Sequence, residues 1–283
     1  MSWGDSLDCA TVDPVTGMST DEVLALLQRV AAEVITPRFR ALSDAQVMEK
    51  NPGDLVTVAD REAEVLITEE LRAAYPAAVV LGEEAYAGDR TLMERYLAAE
   101  HAFTVDPVDG TKNFVQGSPD HAVMVAEARA GKTVRAWVWQ PEYAVSWVAE
   151  LGAGTWRDGV RARISPPQVA TAPRGATSVW RLRGTALPGL PPMRLSWVCC
   201  GVDYPRLVEG AADYLLYGRS HPWDHAPGAL LVTEAGGVVA HLDGTPYSPR
   251  SLRPGLVVAA DAAIGAAVVP LAARALTAGR STR

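Results

Sequence analysis

Apolar residues near the start of the chain recur at the three- and four-residue spacing that is typical of helices. A capping box at residues 19–22 precedes one such segment, which predicts a helix that ends near Pro37. A second segment predicts a helix that begins near Thr57 or Val58 and ends before Pro76. We therefore expect two amphipathic helices that pack on a common core.

Short apolar runs bounded by turn residues predict strands in the next part of the chain. They lie at residues 78–81, 103–105, 121–128, 133–139 and 145–149, with a short helix near residues 92–99. The turns Gly131-Lys132 and Pro141-Glu142 separate the last three strands. This arrangement predicts an antiparallel meander.

A segment rich in proline, arginine, threonine and glycine, residues 165–192, is the best candidate for a join between two halves. Beyond it, predicted strands alternate with predicted helices, at residues 195–199, 204–210, 223–235, 238–241, 256–259 and 262–276. Such alternation is typical of α/β structure. We expect an N-terminal α+β half at residues 1–165 and a C-terminal α/β half at residues 166–283, in alternating layers of helices and sheets.

Composition and charge exclude several classes of protein. Of the 283 residues, 48% are hydrophobic and 21% are charged, values that rule out a disordered or coiled-coil chain. Lys and Arg number 26 against 33 Asp and Glu, which gives a net charge of -7, and no basic cluster offsets it. We therefore expect no binding to a nucleic acid polymer or to a membrane.

The N-terminus and the cysteines indicate the compartment. The first residues contain acids where a signal peptide would carry positive charge, and the most apolar stretch, residues 256–276, contains an aspartate, a proline and an arginine. Cys9, Cys199 and Cys200 are an odd number without CxxC spacing, which fits a reducing environment. The sequence therefore predicts a cytoplasmic protein.

Candidate chemistry begins with the sequence DPVDGT at residues 106–111, which follows a predicted strand. Asp106 and Asp109 lie three positions apart in a tight turn, with the backbone carbonyl of Val108 between them. Hard divalent cations such as Mg²⁺ prefer such oxygen ligands. The alternative interpretation is an Asp-Gly hairpin turn, which is common.

Other acidic residues lie, in order along the chain, at the ends of predicted elements. Glu83 and Glu84 follow a strand, and Asp224 precedes an apolar helix that ends in EAGG. Taken singly, such residues are usually solvated or cap a helix. Together with the sequence DLVTVAD at residues 54–60, they form a set that can converge at one site.

This set of motifs resembles the inositol monophosphatase family, within the fructose-1,6-bisphosphatase-like superfamily of Mg²⁺-dependent, often lithium-sensitive phosphatases. The motifs that carry the resemblance lie at residues 54–60, 82–84, 106–114 and 223–237. The resemblance extends from about residue 22 to residue 276. It implies a layered αβαβα sandwich, two or three Mg²⁺ ions in each active site and a homodimer.

Carried over residue by residue, the resemblance also implies roles in the site. The implied Mg²⁺ ligands are Glu83, Asp106 and the Val108 carbonyl for one ion, and Asp106, Asp109 and Asp224 for a second. Glu83 and Thr111, with Asp60 behind the threonine, would orient and activate the attacking water. Gly110 and Thr111 would begin a helix whose free N–H groups bind phosphate.

The sequence departs from the family on the substrate side. Animal inositol monophosphatases carry a glutamate that contacts inositol at the position of Tyr217, and Cys199-Cys200-Gly201 replaces their usual Gly-Ser/Thr-Ala run. Cys200, Tyr217 and Arg219 are the candidate substrate-binding residues. His221 and His225 lie in the same stretch and could also contact the leaving group.

The function that these motifs favour is the hydrolysis of a small phosphorylated metabolite by a metal-activated water. The resemblance implies a phosphate monoester of a polyol or sugar as substrate. One alternative is a 3′(2′),5′-bisphosphate nucleotidase. A second alternative is a catalytically silent binding protein on the same fold, which the full set of acidic residues argues against.

Overall fold

The computed structural model describes residues 17–51, 54–165 and 172–277, so Cys9 lies outside the described residues. One sheet has seven strands in the order β3-β4-β5-β6-β7-β8-β9, and a hairpin, β1 and β2, lies before it in sequence. These strands are β1 Val47–Asn51, β2 Asp54–Thr57, β3 Val79–Gly82, β4 His101–Asp109, β5 Ala122–Arg129, β6 Lys132–Gln140, β7 Val145–Glu150, β8 Gly154–Arg157 and β9 Val160–Ala162. Strand β3 is parallel to β4, and the remaining strands form an antiparallel meander.

The second sheet has five strands in the order β11-β10-β12-β14-β13. They are β10 Gly175–Thr177, β11 Arg194–Leu195, β12 Tyr214–Tyr217, β13 Val238–His241 and β14 Leu256–Ala259. Strand β10 is parallel to both neighbours, and β14 is antiparallel to both of its own. The loop that follows β12 leads directly into the candidate site.

Helices separate and cover the two sheets. They are α1 Thr20–Val30, α2 Val58–Ala74, α3 Glu83–Gly88, α4 Thr91–Ala98, α5 Thr111–Val115, α6 Cys200–Val208, α7 Pro222–Glu234 and α8 Ala262–Thr277. Helices α1 and α2 pack on the seven-stranded sheet, α6 and α7 lie between the sheets, and α8 packs on β12, β13 and β14. Within the described residues, no helix is long and apolar enough to cross a membrane.

Strand β6 shows how the seven-stranded sheet holds a helical layer on each face. The indole N–H of Trp137 donates to the carbonyl of Thr20 in α1 at 2.9 Å, and the Gln140 amide donates to the carbonyl of Gly201 in α6 at 2.7 Å. Residues three apart on a strand point to opposite faces. The layers therefore follow the order αβαβα, which confirms the expected sandwich.

Most predicted elements are present, with one error near the cysteines. The strand predicted at residues 195–199 is wrong beyond Leu195, because Cys199 caps helix α6 and Cys200 is its first residue. The Asp203 carboxylate accepts the N–H of Trp197 at 2.7 Å, and Val198 has a left-handed φ of 57°. Both features turn the chain out of the extended conformation. The division of the chain at residue 165 stays a prediction.

A buried network of charged and polar side chains joins the segment just before α1 to strands β4, β5 and β6. Glu127 is 2% exposed and accepts hydrogen bonds from His101 at 2.9 Å and from Arg135. Arg135 also donates to the hydroxyl of Tyr75 at 2.9 Å and to the carbonyl of Met18 at 3.0 Å. Burial alone would raise the pKa of Glu127, but the bond from His101 and the charge of Arg135 lower it to about 2.

We expect Glu127→Gln to lower the free energy of unfolding at pH 7 by on the order of 3 kcal/mol, because a depressed carboxylate pKa stabilises the folded state above the ordinary pKa. That stability is lost as the pH falls toward 2, so the difference from wild type should narrow between pH 5 and pH 3. Urea unfolding measures the difference in free energy between the variant and wild type. Glu100→Gln, at an exposed position, is the control. A difference below about 1 kcal/mol, or one independent of pH, would contradict this role.

Candidate active site

Three carboxylates from three different elements meet at one point. Glu83 begins α3, Asp106 lies in β4 and Asp224 lies in the first turn of α7, and one oxygen of each lies within 4.8 Å of the others. Asp106 is 1% exposed, and its Oδ1 has no hydrogen-bond partner among the described residues. A buried oxygen without a donor is costly. The donor set and this unpartnered oxygen therefore fit a hard divalent cation.

The electrostatics of these acids support the same conclusion. Burial and the charges of Glu83 and Asp109 raise the pKa of Asp106 well above its usual range. Burial raises the pKa of Glu83 to about 8, with Asp224 adding to the effect, and burial and Asp224 raise the pKa of Asp109 to about 7. A nearby positive charge favours the ionised form of a carboxyl group. A bound cation would thus hold the cluster ionised at neutral pH.

The DPVDGT turn is an irregular end of β4 that leads into α5. The register of β4 against β5 shifts between Asp106 and Asp109, and Gly110 follows with a left-handed φ of 81°. A Cβ atom at Gly110 would lie 2.9 Å from the carbonyl oxygen of Asp120. Only glycine fits this position without strain. The alternative interpretation as an Asp-Gly hairpin is wrong, because α5 begins at Thr111.

Thr111 and Asp60 lie together beside this turn, as the resemblance implied. The Thr111 hydroxyl is 3.0 Å from Asp60 Oδ1 and 3.0 Å from the carbonyl of Val108. Asp60 Oδ2 accepts the N–H of Thr57 at 2.9 Å and its hydroxyl at 2.5 Å. Burial raises the pKa of Asp60 to about 6. Asp60 is therefore mainly ionised at pH 7 and can accept the hydrogen bond that the Thr111 hydroxyl donates.

Asp109 is directed toward the start of α6. Its Oδ2 accepts the N–H of Gly201 at 2.6 Å and the thiol of Cys199 at 2.9 Å. A Cβ atom at Gly201 would lie 2.5 Å from that of Ala122 in β5, so this glycine permits the close approach of α6. The structure does not place Asp109 among the three clustered carboxylates. Its role as a metal ligand stays a prediction, as does that of the Val108 carbonyl.

Glu64, which the sequence motifs did not single out, fixes the position of Glu83. Its carboxylate accepts the N–H groups of Glu84 and Ala85 at 2.7 Å each and so caps α3. Burial raises the pKa of Glu64 to about 7. A Cβ atom at Gly82 would lie 2.3 Å from the Glu64 carboxyl carbon, which explains why a glycine precedes Glu83.

Lys50 is a second residue that the motifs missed. Its ammonium donates to Glu83 at 2.7 Å and to Glu84 at 2.6 Å. Burial alone would lower the pKa of Lys50, but Glu83 and Glu84 raise it above its usual range. In the sequence, Lys50 lies a few residues before the DLVTVAD motif, and this proximity was the signal that could have identified it. Lys50 supplies positive charge beside the acidic cluster.

A cavity of about 680 Å³ adjoins the carboxylates. Asp109 and Asp224 line it, together with Cys200, Tyr217 and Arg219, three of the five candidate substrate-binding residues. The other two, Gly110 and Thr111, do not line the cavity. His225 also lines the cavity, and burial lowers its pKa to about 4, so it is neutral at pH 7. His221 does not line the cavity; its ring stacks on Trp223 at 4.9 Å.

The wall formed by Tyr217 is aromatic and already hydrogen-bonded. The Tyr217 hydroxyl donates to Asp203 at 3.1 Å. Its ring stacks on Tyr204 at 5.6 Å and meets the edge of His225 at 4.8 Å. Burial raises the pKa of Asp203 to about 7. Sequence reasoning missed Tyr204 and Asp203, because only the packing of α6 against β12 brings them to Tyr217.

The family model for the inositol monophosphatase family matches residues 19–277. The chain belongs to this family. An inositol-1-monophosphatase of Mesorhizobium japonicum is 30% identical over 262 residues, which are 86% of this chain and 94% of that protein. A Nus factor SuhB of Pseudomonas aeruginosa is 31% identical over 238 residues, 77% of this chain and 83% of that protein. The solved structure of a Thermotoga maritima IMPase aligns with a TM-score of 0.76 at 24% identity, covering 92% and 98% of the two chains.

Family membership confirms the resemblance read from the motifs. This inositol monophosphatase family member is a phosphoric monoester hydrolase, from a metal-dependent family that acts on small phosphorylated substrates. The cluster of Glu83, Asp106 and Asp224 could hold a metal ion. The individual roles of these residues, and those of Asp60, Gly110 and Thr111, stay predictions.

We expect Asp106→Asn to stabilise the metal-free protein and to abolish stabilisation by Mg²⁺. A raised carboxyl pKa in the folded state means that ionisation costs stability above the ordinary pKa, and the cost grows as the pH rises. In EDTA, wild type should therefore lose thermal stability between pH 5 and pH 8, and the variant should lose less.

Thermal unfolding with and without Mg²⁺ measures both effects, since an ion that binds only the folded state raises the midpoint. Asp21→Asn, at an exposed position in α1, is the control and should behave as wild type. Equal Mg²⁺ stabilisation of wild type and Asp106→Asn would show that Asp106 is not a ligand.

Proposed function

We propose that this enzyme hydrolyses small phosphate monoesters of polyols or sugars with Mg²⁺ as its cofactor. The observation that carries the proposal is the unpartnered Oδ1 of buried Asp106, which lies among carboxylates beside an open cavity. A protein with a net charge of -7 repels an anionic phosphate group, so cations must bind at the site to offset this repulsion. The carboxylates can hold such cations.

Glu83, Asp106 and Asp224 would hold the metal, with Asp109 and the Val108 carbonyl as the further ligands that the family resemblance implies. When bound, Mg²⁺ would neutralise charge on the phosphoryl oxygens and lower the pKa of water. Two or three ions in each site, the number that the family resemblance implies, are part of the proposal.

Glu83, Thr111 and Asp60 would position the attacking water. A hydroxyl group has one proton and two lone pairs. While the Thr111 proton is donated to Asp60, 3.0 Å away, its lone pairs remain free to accept a hydrogen bond from water. Glu83 would accept the second proton of that water as the water oxygen forms its bond to phosphorus. The bond from phosphorus to the ester oxygen would break in the same step, and the departing alkoxide would take a proton from solvent. Thr111 and Glu83 would together fix the direction from which the water attacks. Asp60 would fix the orientation of the Thr111 hydroxyl.

The turn and the cavity would hold the two ends of the substrate. The N–H groups of Gly110 and Thr111 at the start of α5 would bind the phosphoryl oxygens, as the family resemblance implies. The leaving group would lie in the cavity against Cys200, Tyr217 and Arg219, which line it next to Asp224.

The family resemblance extends the proposal beyond the single site. We also propose that lithium inhibits the enzyme, that the enzyme forms a homodimer and that it lies in the cytoplasm. Inhibition by lithium chloride, sedimentation velocity and cell fractionation test these three properties one by one.

We expect Mg²⁺-dependent release of inorganic phosphate from a panel of polyol and sugar phosphates, and none in EDTA. Glu83→Gln should lower kcat at least about 100-fold at saturating Mg²⁺, because even residues behind metal ligands contribute 10–100-fold. Initial rates of phosphate release measure this effect.

The matched control is Glu84→Gln, which also removes a carboxylate partner of Lys50 but lies outside the three-carboxylate cluster. It should keep at least about a tenth of wild-type kcat. Equal losses in the two variants would assign the effect to Lys50 instead of to the metal site. Phosphate release in EDTA at the Mg²⁺ rate would overturn the proposed function.

A further inference from the structure

We infer that Val198 limits branching of the leaving group next to the ester bond, and that a strained backbone turn holds Val198 in that place. This inference rests on the proposed function and narrows its substrate class. The enzyme should then prefer phosphate esters of primary alcohols to esters of secondary alcohols.

The backbone at Val198 is strained, with a left-handed φ of 57°. Glycine adopts this region readily, but a β-branched residue in it is an outlier, because its Cβ atom crowds the following carbonyl oxygen. Such strain persists only where the surrounding structure enforces it, and it is concentrated at functional sites. The chain therefore carries a valine where a glycine would be unstrained.

Hydrogen bonds to side chains hold the turn in this conformation. The Asn113 amide of α5 donates to the carbonyl of Trp197 at 2.9 Å, and the Asp203 carboxylate of α6 accepts the N–H of Trp197 at 2.7 Å. The N–H of Val198 donates to the hydroxyl of Ser196 at 3.1 Å. These bonds fix the peptide groups on both sides of Trp197, so Val198 cannot relax without breaking them.

The turn places Val198 where the leaving group would join the phosphate. Val198 is 40% exposed and lines the cavity together with Asp109 and Cys200. The thiol of the next residue, Cys199, donates to Asp109 at 2.9 Å, and a Cβ atom at Gly110 would lie 3.0 Å from that of Cys199. Because Gly110 belongs to the proposed phosphate-binding turn, Val198 lies at the phosphate end of the cavity.

An isopropyl group at this place distinguishes leaving groups by their shape. The cavity of about 680 Å³ has room for a large leaving group farther from the phosphate, so one valine does not limit overall size. Next to the ester bond, a carbon with two carbon substituents needs more lateral space than a carbon with one. The fixed turn keeps the valine from moving aside. One methylene group in a pocket changes specificity by about tenfold or more.

Two isomers that differ only in branching test the inference. Glycerol 1-phosphate is an ester of a primary alcohol and glycerol 2-phosphate is an ester of a secondary alcohol, and the two carry the same charge and the same atoms. Wild type in Mg²⁺ should prefer glycerol 1-phosphate by about tenfold in kcat/KM, measured as release of inorganic phosphate. Equal values for the two isomers, or a preference for glycerol 2-phosphate, would overturn the inference while the proposed function stands.

Val198→Gly should remove the preference, by raising kcat/KM for glycerol 2-phosphate about tenfold relative to glycerol 1-phosphate. Val198→Ala keeps the Cβ atom and should shift this ratio by about threefold. The strain has a readout of its own, because both variants lack the two methyl groups but only glycine is free of strain. In thermal unfolding without substrate, Val198→Gly should therefore unfold at least about 2 °C above Val198→Ala.

Ala130→Gly is the matched control. Ala130 also has a left-handed φ, of 47°, but it is exposed and does not line the cavity. This variant should keep the wild-type ratio of the two isomers. A ratio that Val198→Gly leaves unchanged, or an equal shift in Ala130→Gly, would overturn the role of Val198. Equal unfolding temperatures of Val198→Gly and Val198→Ala would overturn the strained turn.

If neither isomer is hydrolysed while other esters of the panel are, the proposed function stands, and if no ester is hydrolysed, the proposed function fails. In both cases binding decides the inference. Calorimetric titration with Ca²⁺ in place of Mg²⁺ should show that Val198→Gly gains about tenfold in affinity for glycerol 2-phosphate relative to glycerol 1-phosphate, whereas Ala130→Gly does not. An unchanged ratio of dissociation constants, or no binding of either isomer, would overturn the inference by itself.

Discussion

Burying several carboxylates side by side costs free energy, because each loses its hydration and repels the others. Most acids in this region receive donors from the protein: Gly201 donates to Asp109, Thr57 to Asp60, and Lys50 to Glu83. Asp106 keeps one buried oxygen without a donor. Among the described residues, the protein thus provides donors to the neighbouring acids and leaves Oδ1 of Asp106 as a place where a bound cation can offset the repulsion.

The layered fold is what brings these acids together. The seven-stranded sheet supplies Asp106 from β4 and Glu83 just after β3, whereas Asp224 comes from a helix between the two sheets. Helix α7 packs closely on α6, since a Cβ atom at Gly228 would lie 2.3 Å from the ring of Tyr204. Close packing of helices therefore determines the position of Asp224 relative to the sheet.

Local sequence signals predicted much of this arrangement. The capping box at residues 19–22 and the apolar spacing of both segments located α1 and α2, and short motifs located the clustered acids. Contacts between distant segments were not predictable in this way. The bonds from Lys50 to Glu83 and from Tyr217 to Asp203 depend on how elements pack, and no local pattern encodes them. The apolar residues before Cys199 are compatible with a strand or a turn. The hydrogen bond from the N–H of Trp197 to the Asp203 carboxylate favours the turn.

The residues that we propose for chemistry and those that we propose for recognition come from different parts of the chain. Glu83, Asp106 and Thr111 lie on or beside the seven-stranded sheet, whereas Tyr217 ends a strand of the other sheet and Arg219 follows that strand. Mutations at the second group can therefore change which leaving group is accepted without disturbing the carboxylates. Such a division lets descendants of one ancestral enzyme acquire new substrates while they inherit the same hydrolytic centre.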